Sequence, residues 1–300
     1  MLSTNYILVD DSAISIGGTE LSLMGILEKN IENVLSIKSS DLNIDHINKF
    51  KDKIWIFGNI VSLYSNPNFT DIINNLSTIK FVKIEFDYNF CVYRGEYPHK
   101  KFANQQCACP YGIGSHELCG KLYDALYTNA KHIFFMSEKQ RAIYSTHISY
   151  FDFSKSSILS SCFTIDSLNE FEALKNNPKN NKYAILDGYG GWHSEAKGRE
   201  VAKEFCKANN IEYDILPTQS YENHLKLLSS YKGLIFFPII HDTCPRCIIE
   251  AKLMNLDVIT NLNSQHITEY WWKDADTIKT YLKSRPEHFW NIINNLCSQS

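Results

Sequence analysis

The sequence predicts an α/β protein made of two Rossmann-like, doubly wound parallel-sheet domains. Three observations point there. Short apolar runs alternate along the chain with longer amphipathic ones. A polar, turn-rich stretch from Asn169 to Lys182 divides the chain into parts of ordinary domain size. Each part opens with a strand, then a glycine-bearing loop, then a helix.

In order, the first part has expected strands at Tyr6–Val9, Val34–Ile37, Ile54–Phe57, Phe81–Phe86 and Ile133–Met136. The helices expected between and after them are Glu20–Lys29, Asp71–Leu76, His116–Tyr127 and Glu138–Tyr144. The second part has strands at Tyr183–Leu186, Glu212–Leu216, Leu234–Phe237 and Asp257–Thr260. Its helices are Ala196–Asn209, Tyr221–Ser229, Arg246–Met254 and Asp274–Leu282. A last amphipathic helix, Pro286 to Leu296, carries Phe289, Trp290, Ile293 and Leu296 on one side. Domain boundaries are therefore expected at 1–168 and 183–285, with 286–300 as a C-terminal helix.

Composition narrows the class. The chain is 44% hydrophobic, enough for two real cores. Lys and Arg total 30 against 33 Asp and Glu, a net charge of −3, so no global field draws the chain to nucleic acid or membrane. The first apolar piece, Tyr6–Val9, stops at Asp10-Asp11 and is too short for a secretory h-region. No stretch reaches the roughly 20 apolar residues of a bilayer span. Nine unevenly spaced cysteines read as reduced thiols, and a cytoplasmic setting is expected.

The most informative segment is Phe236 to Asn261. A buried strand meets Pro238, a polar loop carries Asp242, and a helix carries Glu250 eight residues on. Such a pair of acids suits a polar ligand over the carboxyl ends of a parallel sheet. Upstream, Asp187-Gly-Tyr-Gly-Gly-Trp192, with Gly190 at its centre, follows the first strand of the second part, and Lys197-Gly198 comes just after. Glycines there let a backbone approach a phosphate. Gly17-Gly18-Thr19-Glu20 holds the matching place in the first part.

These residues carry a resemblance to retaining GT-B glycosyltransferases, family four and its relatives. Their signature is Glu-x7-Glu after a strand ending in Pro; here Asp242 takes the first acid position, Glu250 the second, and Ala251 follows. Lys197-Gly198 looks like the family's KG pair, and Gly17-Gly18 like its N-terminal glycine loop. The resemblance implies a nucleotide-diphosphate sugar as donor. Glu250 would bind its ribose, Asp242 its sugar and Lys197 its diphosphate, with Gly17, Gly18, Gly190 and Arg246 near the phosphates. It implies that 1–168 is the acceptor domain, that 183–285 is the nucleotide-sugar domain, and that the last helix crosses back to the first. Glu85 and Asp87, alternate residues closing a strand, are candidates to receive the acceptor proton. No cofactor or metal is implied for the chemistry. The acceptor stays open among a saccharide, a lipid-linked glycan and a modified base in DNA. Two rival readings also stay open: a sugar-nucleotide epimerase, and a non-catalytic binder of sugar nucleotides or nucleic acid.

Two further features are unassigned. Cys91, Cys107, Cys109 and Cys119 crowd with His99 and His116 into one stretch, which leaves a structural zinc open although C-x2-C is absent from it. Tyr93-Arg94, Tyr97, His99, Lys100 and Lys101 form a basic, aromatic run expected as a loop.

Overall fold

A computed structural model of the chain describes residues 4–11, 17–91, 93, 95–107, 117–148, 150–188 and 191–298. They fall into two units, Met1–Ser160 with Pro286–Ser300, and Ser161–Arg285.

The first unit holds strands β1 Tyr6–Asp10, β2 Val34–Lys38, β3 Ile54–Phe57, β4 Lys80–Glu85, β5 His132–Phe135 and β6 Ser156–Ile158. They form one parallel sheet in the order β2-β1-β3-β4-β5-β6. Its helices are α1 Gly18–Leu27, α2 Ile44–Lys49, α3 Phe69–Asn75, α4 Glu96–Ala103, α5 Glu117–Asn129 and α6 Glu138–His147. Central strand β3, Ile-Trp-Ile-Phe, is buried on both faces, as expected of a parallel sheet sandwiched between helices. Local capping sets helix starts: Asn43 accepts from His46 N–H on α2, and Ser137 from Gln140 N–H on α6.

The second unit holds α7 Ile165–Leu174, β7 Tyr183–Leu186, α8 Gly191–Ala196, α9 Arg199–Ala208, β8 Tyr213–Leu216, α10 Tyr221–Leu228, β9 Gly233–Phe236, α11 Arg246–Leu253, β10 Asp257–Thr260 and α12 Ala275–Lys283. Its strands run parallel in the order β10-β9-β7-β8. The last helix, α13 Arg285–Ser298, lies almost wholly in residues that belong to the first unit. There Trp290 Nε1 donates to Ile26 O at 2.7 Å, and its ring meets Tyr6 edge-on at 4.8 Å.

Two expectations are corrected, and one strand is added. The division falls between Ser160 and Ser161, because Asn169 to Leu174 is helix, not linker. Thr164 caps α7, and Leu168, Phe171 and Leu174 anchor it in the second core. Short, polar β6 escaped the sequence pattern because it has only three residues, two of them serines. The run from Glu96 to Lys101 is helical in α4, not loop. No helix among the described residues is long and apolar enough to cross a membrane.

Candidate functional site

In the second sheet the strand order reverses between β7 and β9. Connections leaving two such strands part to opposite sides and open a crevice at their carboxyl ends. Both connections here are pinned. After β9, the Pro238 carbonyl accepts from Asn261 Nδ2 at 3.1 Å and Asn263 Nδ2 at 2.9 Å. The main chain of Asp242 is tied to Asn263 and Gln265. After β7, the turn between α8 and α9 lies against the end of β9: Ile239 N–H donates to Ala196 O at 3.0 Å. Gly198 makes that approach possible. Its φ is +74°, and a Cβ on it would stand 1.6 Å from the Phe237 carbonyl oxygen.

This packing places Lys197 beside Asp242, although they lie 45 residues apart in sequence. Lys197 Nζ meets Asp242 Oδ2 at 2.5 Å; the lysine is about half exposed, the carboxylate largely covered. The ammonium also stands 5.7 Å from the centre of the Phe236 ring. Glu250, on α11, is buried. Its Oε1 accepts from the Tyr221 hydroxyl at 2.8 Å and lies 3.4 Å from Arg246 Nε. Its Oε2 takes no hydrogen bond from the described residues. Burial and the Glu250 carboxylate push the Tyr221 phenol well up, so it stays a donor. Cys247 links the three charged groups. Burial raises its thiol, Lys197 draws it down, and Asp242 and Glu250 push it up. All three charges therefore act within one neighbourhood.

No protein-family model matches this sequence, and no curated protein sequence does. Solved structures do match the fold. AviGT4, a glycosyltransferase involved in avilamycin A biosynthesis, is 11% identical, covers 98% of each chain and gives a TM-score of 0.52. HepE of Anabaena, solved with UDP, is 9% identical over 95% of this chain and 90% of its own, with a TM-score of 0.51.

The fold is GT-B.

Within this GT-B chain the sequence-derived residues divide. Lys197 and Asp242 come together, and the charges of both, with that of Glu250, act on the Cys247 thiol. Arg246, expected near phosphates, is instead buried: its guanidinium stacks 3.8 Å from the Phe163 ring centre and donates to Cys162 O at 2.7 Å. Its place beside Glu250 makes it a fixed counter-charge for that acid. Arg199 engages Asp187 and Glu200.

Glu85 was expected at an open strand end and is instead fully enclosed. It pairs with buried Lys83 at 3.0 Å and accepts from Tyr144 at 2.5 Å, Asn89 at 3.0 Å and Tyr127 at 3.2 Å. A buried charge held by so many donors is a framework element. Burial and this carboxylate raise both tyrosine phenols. Asp87, just past β4, is half-buried. The Gly17 N–H, expected to face phosphate, is taken by Glu20 Oε2 at 2.8 Å, which caps α1 as Gly18 opens it. Gly190, Arg94, Cys109 and His116 lie outside the described residues. Cys91 Sγ, a ring nitrogen of His99 and Cys107 Sγ converge within 4.8 Å of one another, with Cys91 Sγ 3.3 Å from His99 Nδ1.

Sequence reasoning missed Tyr221 as the partner of Glu250. Tyr221 opens a helix 29 residues before its partner Glu250. Only the folding of α10 against α11 brings them together, so no local pattern announces it.

Proposed function

We propose that the chain transfers a sugar from a nucleoside diphosphate sugar to an acceptor hydroxyl, with retention at the anomeric carbon. The observation that supports this most is the Lys197–Asp242 pair at the β7/β9 reversal, with Glu250 in the same electrostatic neighbourhood.

In this reading Glu250 Oε2 accepts from the ribose hydroxyls, while Tyr221 and Arg246 hold Oε1 and fix the carboxylate's plane. Lys197 exchanges Asp242 for the diphosphate and offsets the charge that builds on the leaving group as the glycosidic C–O bond breaks. Asp242 then accepts from a hydroxyl of the sugar. The acceptor oxygen bonds to the anomeric carbon, and the electron pair of the broken bond stays with the departing diphosphate. The acceptor's proton leaves with the departing diphosphate, since the Glu85 carboxylate is occupied. HepE was solved with UDP, which makes uridine diphosphate sugars the first donor class to test.

The test is a thermal-shift panel of nucleoside diphosphates and their sugars, followed by donor turnover with and without acceptors. A ligand at 100 times its Kd should stabilise the chain by about 2.7 kcal/mol. Release of nucleoside diphosphate is expected, and Lys197→Ala should lower that rate more than donor affinity. No shift with any nucleotide of the panel defeats the reading. A donor altered without any acceptor would instead indicate an epimerase, and binding without turnover a binder.

A further inference from the structure

The structure assigns a zinc-class cation to Cys91, His99 and Cys107. Cys91 follows β4, and His99 is on α4. Both are buried, whereas Cys107 is half-buried. The three ligand atoms lie within 4.8 Å of one another, with Cys91 Sγ 3.3 Å from His99 Nδ1. Zinc bonds of about 2.3 Å to sulfur and 2.0 Å to nitrogen set neighbouring tetrahedral donors about 3.5–3.8 Å apart. A small side-chain adjustment closes the cluster onto such an ion.

Backbone geometry brings the donors together. Gly95, at φ +135°, leads into α4, and His99 N–H bonds back to Gly95 O at 3.1 Å. Asn104, at φ +52°, ends the helix in the left-handed region and turns the chain before Cys107. Tyr93 N–H donates to Cys91 Sγ at 3.4 Å, a contact that stabilises a thiolate. As a thiol, Cys91 reaches Gly95 O at 3.5 Å, a weak bond that a metal–sulfur bond replaces. Two soft sulfurs and an imidazole exclude magnesium and calcium and suit zinc. With zinc in place, the segment after β4, which carries Asp87 and Asn89, is clipped to α4.

The experiment measures zinc per full-length chain, purified under reductant, loaded with zinc and dialysed against metal-free buffer. A stoichiometric ion is expected, with cobalt substitution giving sulfur-to-metal charge-transfer absorption. Cys91→Ser and Cys107→Ala should lose the ion. Cys107→His, which supplies another zinc ligand, should keep it, and so should Cys297→Ser, a change at an exposed thiol on α13. A wild-type chain without zinc overturns the assignment. So does a Cys91→Ser/Cys107→Ala double variant that keeps full zinc, or a Cys91–Cys107 disulfide found in the chain isolated without reductant. Metal content is read without any donor, so it stands apart from the fate of the proposed transfer reaction.

Discussion

Each sheet of this protein has one point where strand order reverses, and the two are finished in opposite ways. In the first sheet the reversal lies between β1 and β3. The chain's own acids fill it. Asp10 accepts from Asn59 N–H at 2.7 Å, and Asp11 from Val61 N–H at 2.6 Å and Ser62 N–H at 3.0 Å. Gly58 leaves room for this, since a Cβ there would run into Asp10. Those N–H groups are the kind that elsewhere bind phosphate, and two carboxylates on them repel an anion. In the second sheet the acid after β7, Asp187, is drawn off by Arg199, and a half-exposed lysine faces Asp242. Among the described residues, the same topology therefore places two carboxylates on main-chain donors at one reversal and a lysine–aspartate pair at the other. Strand order alone does not make a site; the charges on its two loops decide.

Gly198→Ala should give the largest effect. A left-handed residue with a Cβ against the Phe237 carbonyl is expected to cost about 3–5 kcal/mol, read as a lower urea midpoint. A variant as stable as the wild type would mean that the α8–α9 turn does not rest on β9. Next, Asp11→Ala should remove about 2 kcal/mol by leaving the Val61 and Ser62 N–H groups without their carboxylate acceptor. Asp187→Ala, at a partly exposed pair, should cost no more than about 1 kcal/mol. Equal losses would erase the contrast between the two reversals. Glu250→Gln keeps the side chain's shape and removes its charge. Donor affinity should fall about tenfold, the equivalent of one charge-assisted hydrogen bond of about 1.5 kcal/mol, by titration calorimetry. Unchanged affinity would move the ribose elsewhere.

The smallest effect concerns acid stability of the first unit. His132 and His288 both bond the Ser157 hydroxyl, at 2.9 and 3.1 Å. Burial first, then His288 and Arg141, lower His132 to about 4. Between the ordinary value near 6.5 and about 4, the unfolded chain takes up a proton there that the folded chain refuses. Stability from this ring is thus complete above about pH 6.5 and declines as pH falls through that window. His132→Gln should flatten the decline, measured as the urea midpoint between pH 7 and pH 4.

Much of the second sheet's site was legible because its signals are local. A lysine before a glycine, a proline ending a strand and two acids on one strand–helix unit read directly from residues 197 to 250. The first unit was less legible. Glu85 looks like a strand-end acid until Lys83, Tyr127, Tyr144 and Asn89 close over it. Two of those four partners, Tyr127 and Tyr144, lie 42 and 59 residues away, so no window around residue 85 carries the whole information. Arg246 misled in the same manner, because Cys162 and Phe163, which hold it, stand more than 80 residues away.

By itself the sequence determined the alternation of strands and helices, the two parallel sheets and the candidate acids and lysine. Hydrophobic period and turn chemistry act over a few residues and leave their mark in order. Tertiary structure alone decided which charged groups are enclosed in the framework and which stay partly exposed. It also decided where the first unit ends and that two cysteines and a histidine meet. Each of those outcomes depends on which distant backbone or side chain arrives alongside, and burial, not residue type, then sets whether a charge is a strut or a tool.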